Sequence, residues 1–88
     1  MPSGTLAISK TGTGPATYRM TFIPNFSDPR LGLGALTIVT VEELRALLTS
    51  IGIIGSDRDH AIRAVLRDNV AILRDVVLTD EFIDQHRL

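Results

Sequence analysis

Residues 40 to 69 constrain the fold more than any other stretch, because they read as two amphipathic helices joined by a glycine-containing turn. Thr40 starts the first helix: its hydroxyl can accept from the Glu43 amide while Glu43 reaches back to the Thr40 amide, the reciprocal capping box. Val41, Leu44, Leu47, Leu48 and Ile51 then recur at helical spacing and must face a core. Gly52 is suited to the left-handed conformation that closes a helix, with Ile53 folding back onto the last turn. A second helix is expected to open at Ser56 or Asp57, where a side-chain oxygen can cap free amides. Asp57 and Asp59 suit the positive end of its dipole. Ala61, Ile62, Val65 and Leu66 form its apolar face, and Asn69 is its expected stop.

The first third has a different period. Leu6 and Ile8 alternate with Thr5, Ala7 and Ser9, and Tyr18, Met20 and Phe22 repeat the pattern, so two half-buried strands are expected. The Thr11-Gly12-Thr13-Gly14-Pro15 stretch between them makes a hairpin. Pro24 ends the second strand, because proline cannot donate to a ladder. The long loop 24–34 follows, carrying Phe26, Leu31 and Leu33 either into the core or onto a contact surface. A third strand over 35–39 feeds the helix at Thr40.

After Asn69, two readings compete. Val70 to Leu78 is rich in β-branched residues and bounded by Asn69 and Thr79, which favours a strand. With apolar residues on both faces, that strand would be interior or covered by a partner. The alternative continues the second helix, placing Ile62, Val65, Asn69, Ile72 and Val76 on a heptad seam and making the chain a homodimer. The strand is preferred, since the repeat covers only about three heptads. Thr79-Asp80-Glu81 then caps a short last helix holding Phe82 and Ile83. The element order is β-β-β-α-α-β-α. The expected class is α+β, a small antiparallel or mixed β-sheet with two helices packed on one face.

With 88 residues the chain is expected to form one domain, 1–88, with a flexible start at 1–4. A chain of this size buries roughly 60 to 65% of its unfolded surface, enough for one thin core. Nine basic residues against ten acidic leave no global field that would draw it to nucleic acid or an anionic membrane. The absence of cysteine removes disulfides, thiolate metal sites and thiol nucleophiles. Neither a signal sequence nor an apolar run of membrane-spanning length is present, so a soluble, cytoplasmic protein is expected, with no membrane partner.

No motif points to catalysis. Gly12-Thr13-Gly14 joins two strands and Gly32-Leu33-Gly34 precedes one, whereas phosphate cradles need glycines between a strand and a helix. His60 and His86 lie near carboxylates without a recognised metal spacing, so no metal or cofactor is expected. The one polar feature that stands out is a stripe of His60, Arg63 and Arg67 at i, i+3 and i+7 on the second helix. Such a stripe is ordinarily a solvated face; where it functions, arginine's planar fork suits carboxylates and phosphates alike. The sequence therefore predicts a non-enzymatic protein-interaction or adaptor domain with Phe26, Leu31, Leu33, His60, Arg63 and Arg67 as candidate contacts. Nucleic-acid binding through the arginine stripe is the alternative.

Overall fold

A computed structural model describes residues 3–11, 17–26 and 36–86. Strands β1 (Ser3–Thr11), β2 (Thr17–Pro24) and β3 (Leu36–Ile38) precede helices α1 (Val41–Ile51) and α2 (Gly55–Asp68). Strand β4 (Val70–Val77) and helix α3 (Asp80–His86) complete the chain. The four strands form one antiparallel sheet in the order β3-β2-β1-β4. This is the expected α+β architecture with the expected element order.

β1 and β2 pair in full register from Gly4↔Pro24 to Thr11↔Thr17, so they form the expected hairpin. At its far end the Thr11 and Thr17 hydroxyls lie 2.7 Å apart. The turn between them, residues 12–16, lies outside the described residues, as does the loop beyond Phe26 that holds Leu31 and Leu33. The alternation read from the sequence decides which face is covered. Leu6, Ile8, Tyr18, Met20, Phe22 and Ile38 point inward and are buried with Leu44 and Leu48 of α1 and Ala61, Ile62 and Val65 of α2. Phe82 and Ile83 of α3 join the same core, held by a Thr79 hydroxyl that accepts from the Phe82 amide at 3.1 Å.

Helix ends show where local chemistry acts. Thr40 Oγ1 accepts from the Glu43 amide at 3.0 Å, as expected. The Glu43 carboxylate, however, lies 3.5 Å from the Val39 amide instead of completing the box at Thr40. At the other end Gly52 is left-handed (φ 96°), and its amide donates to Thr49 O at 3.0 Å. The Ile53 amide donates to Leu48 O at 2.9 Å, and Ile53 packs against the core beside it. Both bonds of a Schellman closure are present.

α2 departs from expectation at its start. It begins at Gly55 after an extended Ile54 that offers no side-chain cap, so neither Ser56 nor Asp57 is the capping residue. The short turn after Gly52 brings the chain into the helix two or three residues sooner than the polar side chains suggest. Leu66 is also not core: at 47% exposure it lies on the flank toward Arg45, outside the Ala61, Ile62, Val65 face. Asn69 stops the helix as expected, left-handed at φ 67°, with its amide on Val65 O.

The strand reading after Asn69 holds over Val70–Val77, which removes the heptad alternative. Among the described residues β4 is an edge strand paired with β1, so of the two readings its apolar faces offered, interior or covered by a partner, it is not interior. Its register shifts between Gly4 and Leu6 of β1. Arg74 and Asp75 together face Thr5 there, and Asp75 takes a positive φ of 59°, so the strand carries a β-bulge.

Candidate interaction surface

The strand alternation that fills the core also defines what is left outside. All three helices contribute to the core on one face of the sheet, so the opposite face carries the residues of the other parity. Across the strands, Thr21, Ala7 and Ile72 form one row and Arg19, Ser9 and Val70 the next. Ile23 lies beside Thr5, and Val77 lies opposite Ser3. Ile23 is 57% exposed and Ile72 59%, with Val70 and Val77 nearly as open. Phe26 is 84% exposed at the same end of the sheet as Val77, where the Asn25 amide donates to Ser3 O. The outcome is a face of Thr, Ser and Arg19 across β1 and β2, with exposed apolar residues at Ile23 on β2 and at Val70, Ile72 and Val77 on β4.

The edge of β4 adds directional groups to that face. The Lys10 amide donates to Asn69 O at 2.9 Å, which identifies 10 and 69 as a hydrogen-bonded pair of the antiparallel ladder. Hydrogen-bonded and non-bonded pairs alternate, so Ala71 and Leu73 bond to β1 while Val70 and Ile72 turn their N–H and C=O groups to the open edge. A regular half, Val70 to Leu73, is thus followed by the bulged half beginning at Arg74. Open edges are sites of strand addition unless bulges or charges blunt them. Here only the second half is blunted.

Two depressions flank the helices. A cleft of about 560 Å³ lies between the α1–α2 turn, the first turns of α2 and the bulge, lined by Ile53, Asp57, His60, Arg74 and Asp75 among others. A smaller one, about 370 Å³, lies between Arg45, Asp59, Ile62, Arg63 and Leu66. Among the described residues, no group of three or more His, Asp or Glu could hold a metal ion. No described helix is long and apolar enough to cross a membrane.

The residues singled out from the sequence are separated by this geometry. Of the loop residues, Phe26 is exposed, while Leu31 and Leu33 lie outside the described residues. His60 lines the larger cleft and Arg63 the smaller one, with Arg45 beside it. Arg67 is forked onto Asp68, with Nε and Nη2 donating at 3.2 and 3.0 Å. These bonds and the Asp68 charge hold its guanidinium above the ordinary value. Arg58 folds back onto α1, donating from Nη1 to Thr49 Oγ1 at 2.9 Å. His60, Arg63 and Arg67 lie at i, i+3 and i+7 of α2, on one side of the helix, with Arg67 held by Asp68. Beyond the named candidates, Ile23, Val70, Ile72 and Val77 are exposed, the last three belonging to the strand whose two apolar faces were read from the sequence. Ile23 had a signal, since it falls on the opposite parity from Tyr18, Met20 and Phe22.

Comparison with protein-family models, with curated proteins and with solved structures finds no match for this chain.

Proposed function

We propose that this chain is a protein-interaction domain whose contact surface is the outer face of the sheet together with the open edge of β4. The observation that carries the reading is the outer face, where Ile23 on β2 and Ile72 and Val77 on β4 are exposed on the two strands that flank β1, with no helix over them among the described residues. Isolated exposed apolar residues are ordinary, but Val70, Ile72 and Val77 on β4, with Ile23 across the small side chains of β1, make the kind of surface that partners cover. Flat, β-branched faces supply contact area with little side-chain entropy to lose. Nucleic-acid binding has less behind it. Arg58 is tied to Thr49 and Arg67 is paired with Asp68, so two of the arginines of α2 are already engaged within the chain, which weakens the basic footprint that phosphate contacts need.

The test pairs capture with stability. The immobilised chain and its Ile23→Asp and Phe26→Asp variants are exposed to a nuclease-treated native lysate. A protein retained by the parent and lost on Ile23→Asp is expected, with unfolding free energy changed by no more than about 0.5 kcal/mol because the side chain is exposed. Capture that survives Ile23→Asp would remove the outer face from the proposal. Capture that vanishes on nuclease treatment would favour the nucleic-acid alternative.

A further inference from the structure

We infer that the open half of β4 pairs antiparallel with the same strand of a second copy, so that two four-stranded sheets join into one. The inference rests on the interaction-domain reading and names one partner for its edge. Three features of the edge fit a copy of itself.

The first is hydrogen-bond parity. Val70 and Ile72 present N–H and C=O groups outward, so a symmetric antiparallel pair must place one outward residue opposite another. With the two-fold axis at Ala71, Val70 of each copy faces Ile72 of the other, and the two pairs exchange four N–H···O bonds. The outer face then gains two Val–Ile cross-strand pairs, a favourable combination for β-branched side chains.

Charge complementarity selects this register over its neighbours. Moving along from the axis, Arg74 at the bulge of one copy comes to the α2–β4 junction of the other, where Asp68 is the last residue of α2 and lies beyond the paired strand residues. Among the described residues Arg74 has no ion-pair partner, and Asp68, although it already accepts from Arg67, retains lone pairs for a second donor. Shifting the axis to Ile72 or Leu73 sets Arg74 against Val70 or Ile72, and shifting it to Arg74 opposes two arginines. Of these four axes, the one at Ala71 brings Arg74 toward a carboxylate.

The third feature is space for the helices. α2 packs over both β4 and β1, so its axis sits inboard of the edge. The chain reverses at Asn69; with about 1.5 Å per helical residue and about 3.3 Å per strand residue, Ala64 stands level with Ala71. Ala64 lies on the α2 flank between Asp57 and His60, the flank that lines the cleft against β4 and not the one toward α1. Two small residues, Ala64 and Ala71, therefore meet the two-fold axis where neighbouring helices, about 8 to 10 Å apart, must approach.

Light scattering coupled to size exclusion tests this on the whole chain, with thermal unfolding as the control. The chain is expected to be a dimer at roughly 100 µM, a range in which a modest strand-pairing interface is populated. Ile72→Lys is expected to weaken dimerisation at least about 100-fold with an unchanged melting temperature, since its side chain is exposed. Arg74→Asp should weaken it about tenfold, and adding Asp68→Arg to the same chain should restore it, because the reversed pair is again complementary. A monomer at that concentration overturns the inference, as does a dimer indifferent to Ile72→Lys or one that the charge swap fails to rescue. A monomer that still captures a protein in an Ile72-dependent way would assign the edge to a foreign strand, leaving the interaction-domain reading in place.

Discussion

Gly4 lies where β1 passes β2 so closely that a Cβ there would run into the Ile23 carbonyl oxygen, with Pro24 Cα only 2.7 Å away. Both obstacles are main chain, so no rotamer change can relieve them. Gly4→Ala should therefore destabilise the fold by about 2 kcal/mol or more, the upper part of the range for overpacking, because the strands themselves must part. Gly52 presents the opposite case: nothing lies within 4 Å of an added Cβ, yet its φ of 96° is a conformation that side chains resist. Gly52→Ala should lose about 1 kcal/mol, purely as backbone strain. Urea titration of the two variants checks the contrast, and equal losses would show that the Ile23 contact relaxes. Asp75 reaches a left-handed conformation with a side chain, which aspartate tolerates better than most residues. That is why the bulge can sit beside Arg74 without a glycine.

Elements bounded by their own capping chemistry were the ones legible in the sequence. Thr40, Gly52 and Asn69 each act within a few residues of themselves, so their positions in the chain are enough to place both ends of α1 and the end of α2. The start of α2 was not legible because its geometry is set by the turn after Gly52, not by Ser56 or Asp57. β4 illustrates both limits. Its β-branched composition marked it as a strand, but its place at the edge depends on pairing with β1, more than sixty residues earlier, and no local pattern encodes sheet order. Of the apolar residues on its two faces, Ala71 and Val76 are core and Val70, Ile72 and Val77 are exposed. At the N-terminus of α1, Thr40→Ala should remove about 1 kcal/mol of stability. Glu43→Gln should change it by no more than a few tenths, since the carboxylate is 3.5 Å from the Val39 amide and contributes little bonding at that distance. Thermal unfolding of both variants separates them; a loss at Glu43 equal to that at Thr40 would mean the reciprocal box closes in solution.

Taken together, the described residues form a sheet covered by helices on one side, with two interior strands, β1 and β2, and an asymmetric pair of edges. The β3 edge is three residues long, too short to template another strand, while β4 offers a regular half before its bulge. Native-state hydrogen exchange reads this asymmetry directly, because amide protection follows pairing. In dilute solution, the β1 and β2 amides at the centre of the sheet should exchange only through global opening, near the full unfolding free energy. Along β4 protection should alternate: Ala71 and Leu73, bonded to β1, slow, and Val70 and Ile72, facing the edge, fast. Raising the protein concentration should slow Val70 and Ile72 while leaving Ala71 and Leu73 unchanged, since only the outward amides gain a partner when a second β4 adds. Ile72→Lys should abolish that concentration dependence and keep the alternation. Uniform protection along β4 at every concentration would mean that another segment of this same chain covers the edge, and the surface available to partners would then be confined to the outer face around Ile23.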